Sequence, residues 1–296
     1  MSVSHRKVGR SQLATAGTQP RSLPNLLAQL APADLRCHGV LMNRVCPTLP
    51  AVLAQLARIL PGLDGQVGAP ASSDITVDAA NPAPVAALLQ HWQQAHPEAG
   101  PHYWGSRSWT LLLWQPVYLA VLAVHLAGCL PRLTGMAQRQ HGGFVAGFSL
   151  PDAGLQHGSE AVLIASAGAQ LQALSQPLLE LVNQHVKLHP KMAGRLLADC
   201  LLAALLHAQR CDAQLGNPRL LALAPQWLAA LAQPDASALM TVALDDGRQR
   251  LALERKVCCQ HFRRCDGELC STCPKLKPAA RLALLKQELS HDAVTA

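Results

Sequence analysis

A chain of 296 residues, half of them hydrophobic and carrying a formal charge of +7, can bury a sizeable core as one large domain or two modest ones. Only 15% of the residues are charged and 3% are aromatic, which excludes a disordered chain and points to helices packed through Ala, Leu and Val. Ten cysteines are too few for a disulfide scaffold at this length, and the basic N-terminal stretch has no apolar run behind it as a secretory signal would, so the expected compartment is the reducing cytoplasm.

In chain order, residues 1–20 are polar and unpatterned and read as a flexible tail. A short amphipathic helix is expected at 23–35, broken at Pro32. Leu and Val at helical spacing predict a second helix within 41–60, after Pro50 and ending at Pro61-Gly62. Residues 62–73, rich in Gly, Ala and Pro, read as loop, and the alternation at 74–78 predicts a short strand. Asn81-Pro-Ala-Pro opens a helix over 85–94. The run at 106–128 is apolar, and its 110–130 portion is long enough to cross a bilayer. Gln115, Pro116 and His125 would then lie in hydrocarbon, so a buried core helix is expected instead, with peripheral membrane contact compatible with it.

A strand at 143–149 precedes a turn at 151–154. A helical region from Ser159-Glu160 to about His185 is expected to be divided by Pro177. Residues 191–210, apolar on most faces, predict a deeply buried helix, and 219–232 one more. Segments 239–244 and 249–253 flank Asp245-Asp-Gly-Arg248, which predicts a hairpin with a two-residue turn at Asp246-Gly247. A last helix is expected at 279–289. The class is therefore α+β and predominantly helical: a large helical domain over 21–236 with short strands, then a segment over 237–296 in which the hairpin leads into a cysteine cluster.

That cluster holds Cys258 and Cys259, then Cys270 after ten residues and Cys273 after two more. Four thiolates within so short a stretch can wrap one small metal centre. The Cys270-Ser-Thr-Cys273 spacing lets two sulfurs reach a single ion from one tight turn. The adjacent pair needs a bend, because neighbouring side chains on a strand point to opposite faces. A turn at Asp266-Gly267 brings Cys270 back. Four-cysteine zinc, stapling a binding or regulatory module without redox activity, and a 2Fe–2S cluster both satisfy this spacing.

Ten Lys/Arg against five Asp/Glu from Arg248 onward make this end basic. With Phe262 as its lone aromatic, the patch reads as compensation for thiolate charge or a surface for an acidic partner, among them Arg255, Lys256, Arg263 and Arg264, rather than for nucleic acid. No Gly-rich dinucleotide fingerprint or phosphate loop is present. His185 and His189 lie four apart without the glutamate of a zinc hydrolase and read as a solvated helix end. The scattered Cys37, Cys46, Cys129, Cys200 and Cys211 read as core or ordinary surface positions.

Cys258-Cys259, Cys270 and Cys273-Pro274, with the Gly267 turn between them, resemble the C-terminal motif of the siderophore-iron reductase family, the FhuF-like ferric hydroxamate reductases. Ser106-Arg-Ser-Trp-Thr110 at the start of an apolar helix is loosely similar. The resemblance covers about 25 residues, and the rest is likeness of length, helicity and order. It implies a 2Fe–2S cluster held by Cys258, Cys259, Cys270 and Cys273. It further implies one-electron reduction of a ferric siderophore in the cytoplasm, and because the chain lacks a dinucleotide fingerprint, an external electron donor such as a ferredoxin, flavodoxin or flavin reductase is expected to load the cluster. Cys265 departs from the motif as a fifth thiol inside the loop and reads as a passive, buried side chain, and His261 as a loop histidine rather than a replacement ligand.

Overall fold

The computed structural model describes residues 47–77 and 81–291, so the expected tail at 1–20 and helix at 23–35 lie outside the described residues. The helices are α1 (Leu49–Ile59), α2 (Ala83–Ala95), α3 (Gly100–Leu122), α4 (Glu160–Asn183), α5 (Pro190–Cys211), α6 (Asn217–Ala230) and α7 (Pro278–His291). The strands are β1 (Gly65–Val67), β2 (Leu130–Pro131), β3 (Ala137–His141), β4 (Phe144–Leu150), β5 (Leu155–Gln156), β6 (Ser237–Ala243) and β7 (Gln249–Arg255). Helix at 54% against strand at 14% fits the expected α+β, predominantly helical class.

Helix α3 is the centre of the molecule. Arg107 is its one Lys, Arg, Asp or Glu, and nearly every residue from Tyr103 to Leu122 is buried. A helix without a polar face must be covered on all sides, and α3 is covered by α2, α4, α5 and β4. Its tryptophans fix those neighbours through their indole N–H groups: Trp109 donates to the Ala193 carbonyl at 2.9 Å and Trp114 to the Val145 carbonyl at 2.7 Å.

The three residues that argued against a bilayer each find a place in this interior. Pro116 has no N–H for the Leu112 carbonyl, and the Gln138 side chain donates to that carbonyl at 2.9 Å instead. Gln115 donates to the Gly62 carbonyl at 3.0 Å. His125 lies in the widened turn Ala123–Ala127, 3.1 Å from Glu160, and accepts the Trp227 N–H at 2.9 Å. Among the described residues, 97–127 form the one helical stretch long and apolar enough to cross a membrane, and 78% of its apolar window is buried inside the protein.

Several local expectations change. Segment 62–73 contains β1, which pairs in parallel with β4, Gly65 opposite Phe148. Strand β3, unforeseen in Ala-Gln-Arg-Gln-His, pairs antiparallel with β4. The strand expected at 74–78 is reduced to a single bridge between Ile75 and Gln138, with Asp78 outside the described residues. Helix α3 begins at Gly100, six residues before the expected start. Pro177 does not divide α4, which runs unbroken. The carbonyl that Pro177 deprives of a partner belongs to Ala173, an exposed residue where water can take its place.

Strands β6 and β7 form the expected hairpin, in register from Ser237–Arg255 to Ala243–Gln249. Its connection is a three-residue loop rather than a two-residue turn. The Leu244 N–H bonds the Arg248 carbonyl at 2.8 Å, and Gly247 takes φ +82°, a conformation that favours glycine. The hairpin lies on α5, and α7 packs on the hairpin through Val242, Leu244, Ala252 and Leu285.

Candidate metal centre

Strand β7 ends at Arg255, and Cys258 follows after two intervening residues. The connecting Lys256 is fixed at both ends: its carbonyl accepts from Arg195 at 3.3 Å and its ammonium donates to the Asp235 carbonyl at 2.7 Å. The bend that adjacent cysteines require is supplied immediately after them by Gln260, a non-glycine residue at φ +64°. Its N–H donates to the Cys258 sulfur at 3.4 Å. A short 3-10 turn at His261–Arg263 follows. The return toward Cys270 passes through Gly267, whose N–H bonds the Arg264 carbonyl at 3.0 Å. A β-carbon at Gly267 would lie 2.2 Å from the His261 carbonyl oxygen, so only glycine fits this approach. The Cys273 N–H closes the last turn on the Cys270 carbonyl at 2.9 Å.

This path brings the four motif thiols together. The Cys258 and Cys273 sulfurs are 3.7 Å apart. The Cys259 sulfur lies near enough to those of Cys258 and Cys270 to interact with both. The sulfurs thus run Cys273, Cys258, Cys259, Cys270, with Cys258 and Cys273 buried and Cys259 and Cys270 half-buried. The thiols of Cys258 and Cys270, the Arg255 guanidinium and the His261 N–H together hold Cys259 well below the ordinary thiol range despite its burial. Cys258 and Cys270, beside that thiolate, are pushed up in turn. The protons belong to the set rather than to one residue, and a metal would displace them.

Among the described residues, no three His, Cys, Asp or Glu side chains are placed to hold one metal ion. The N–H donors and cations around the thiols complement a negative sulfur cluster.

Arg255 anchors this arrangement from within. It is 8% exposed, donates through Nε to Asp199 at 2.7 Å, and places Nη1 3.8 Å from the Cys270 sulfur. Ser237 donates to the other Asp199 oxygen at 2.6 Å. Burial works against the Arg255 charge, but Asp199 and the Cys259 and Cys270 sulfurs outweigh it and push its pKa up. Arg264 is buried too, and both ends of its guanidinium engage Asp266, at 2.8 and 2.5 Å. These two arginines are therefore internal struts, and of the four basic residues read as a surface only Lys256 and Arg263 are exposed.

Cys265 is exposed, contrary to the buried position expected of it, and its backbone N–H donates to Glu98 at 3.1 Å. His261 is half-buried, its ring 6.3 Å from that of Tyr103, and burial lowers its pKa. His185 lies beyond the end of α4, whereas His189 caps α5 by accepting the Lys191 N–H at 3.1 Å, so the two share no helix face. Cys129 is buried, Cys200 and Cys211 are half-buried, and Cys37 and Cys46 lie outside the described residues.

Sequence reasoning missed Asp199, Tyr103 and Arg107 as neighbours of the cysteines. The available signal was isolation: Asp199 is the only acid in α5, and Arg107 the only Lys or Arg in α3.

Residues 255–275 match the family model of the FhuF 2Fe-2S C-terminal domain. The match favours iron–sulfur over the zinc alternative. It spans the four motif cysteines and the end of the strand that delivers them. The match identifies this segment as similar to a 2Fe–2S-binding domain of the FhuF type, and it supports a likeness to the FhuF-like siderophore-iron reductases over these residues.

Proposed function

We propose that this protein reduces ferric iron in a siderophore complex of hydroxamate type and releases Fe(II) in the cytoplasm. Cys258, Cys259, Cys270 and Cys273 are the proposed ligands of the 2Fe–2S cluster. The observation that carries this reading is the gathering of four thiols inside the segment matched to a 2Fe–2S domain. A cluster bound there supplies one electron at a time. The iron's hard oxygen ligands favour Fe(III) over Fe(II), so one electron suffices to loosen the metal and leave the chelator intact.

The chain's own part is to hold the centre near the surface and receive both partners. Cys259 and Cys270 are half-buried, whereas Cys258 and Cys273 are buried. The siderophore surface belongs to residues 21–236, next to the cluster segment of 237–296. The electron comes from outside, from a ferredoxin, flavodoxin or flavin reductase, because the sequence has no dinucleotide fingerprint of its own. Exposed Lys256 and Arg263 suit an acidic carrier.

A single-turnover experiment tests the activity. The dithionite-reduced holoprotein, freed of excess reductant, is mixed anaerobically with a ferric hydroxamate siderophore and an Fe(II)-trapping chelator. The expected result is one trapped Fe(II) per reduced cluster, with return of the oxidised visible spectrum. A spectrum that stays reduced, with no trapped Fe(II), would contradict the assignment.

A further inference from the structure

Arg107 is a buried cation with no acidic partner among the described residues. Its residue is 8% exposed, and its guanidinium carbon lies 4.7 Å from the centre of the Trp92 ring and 5.7 Å from that of Phe144. Its Nε has no hydrogen-bond partner among the described residues. The aromatic faces offset part of its desolvation but supply no counter-charge. The ionisable groups near enough to act on it are the Tyr103 phenol, the Arg264 guanidinium, the His261 imidazole, which carries no negative charge, and the Cys259 sulfur. Arg264 is a second cation, already committed to Asp266. Tyr103 is neutral at physiological pH, and burial raises its pKa further. Burial lowers Arg107 to about 10, which leaves it positive in neutral solution. Cys259 is thus the one neighbour able to carry the missing negative charge.

The fold enforces this proximity. The N-terminal part of α3 rests against the turn at His261–Arg263, and Tyr103, one helical turn before Arg107, faces His261. Arg255, at the end of β7, is neutralised by Asp199, whereas Arg107 has no such acid among the described residues. We infer that Arg107 is the counter-charge of the cluster, a positioning residue that stabilises its reduced, more negative state and so raises its reduction potential. The inference rests on the proposal that Cys259 is a ligand. Net charge and nearby donors are established controls of iron–sulfur potentials.

Redox titration of the holoprotein, followed by the EPR signal of the reduced cluster, tests it. Arg107→Met fills the same space without charge, and Arg107→Lys keeps the charge. The expected result is a lower potential in Arg107→Met, by about tenfold in the reduction equilibrium or about 59 mV for one electron, with Arg107→Lys close to wild type. A loaded Arg107→Met protein at the wild-type potential, or Arg107→Lys displaced as far as Arg107→Met, would overturn the inference. Should Arg107→Met fail to hold a cluster, Arg107→Gln is read in the same way. Loss of cluster in both neutral variants with retention in Arg107→Lys also supports a counter-charge, whereas loss in all three assigns Arg107 to packing and overturns it. Wild-type protein that takes up no 2Fe–2S cluster would instead sink the assignment of the site, a failure distinct from an unmoved potential.

Discussion

Cys265 and Cys270 stand five residues apart in one loop and have opposite surroundings. Cys270 is half-buried and lies near Cys259 and Arg255, whereas Cys265 is exposed with its backbone tied to Glu98. Cys270→Ser is expected to lose cluster and siderophore reduction together, and Cys265→Ser to keep both, as read by visible absorbance and the single-turnover assay. His207 belongs to the scaffold. Its ring lies 5.9 Å from Tyr118, its Nε2 is buried without a partner, and burial, with Arg210 nearby, lowers its pKa to about 4. The folded pKa lies below the unfolded one, so the unfolded chain binds the extra proton. Stability is then intact above pH 6.5 and falls as pH drops toward 4. The loss is up to about 3 kcal/mol, and His207→Leu should flatten that part of the profile in urea unfolding. The cysteines were legible because their spacing is local. Asp199, Tyr103 and Arg107 reach the site only through the packing of α3 and α5, which no spacing rule records.

Among the elements, α3 shows how a helix with a central proline and a glutamine serves as a core. The carbonyl that Pro116 leaves free is taken by Gln138, which stands on β3. Gln138→Leu should therefore destabilise the protein by about 1–3 kcal/mol, the cost of a buried group left unpaired. Chemical denaturation measures this, and an unchanged midpoint would contradict the account. The same contact explains why β3 escaped sequence reasoning. Ala-Gln-Arg-Gln-His lacks an apolar alternation, and its buried glutamine is there to serve a helix. Strand β1 was hidden for a related reason, since three residues acquire strand character only by pairing with distant β4. Long periodic elements were legible: α2, α5, α6 and both strands of the terminal hairpin lie within a few residues of their expected bounds. Pro177 was overread because a proline interrupts a helix only where the freed carbonyl has no other partner.

At the scale of the molecule, a helical body supports a short cysteine-rich segment through a hairpin. Strands β6 and β7 lie on α5, α7 packs on the hairpin, and Ser271 bonds Glu288 of α7, so the cysteine loop is held from both ends. The basic character of this end is partly internal: Arg255 and Arg264 are buried struts, and the exposed remainder is smaller than the composition implied. The central claim is that this loop holds a 2Fe–2S cluster. Protein purified without air should be red-brown, contain two irons and two acid-labile sulfides per chain, and show on dithionite reduction the EPR signal of a single unpaired electron shared by two irons. A colourless protein with stoichiometric zinc and no such signal would contradict it.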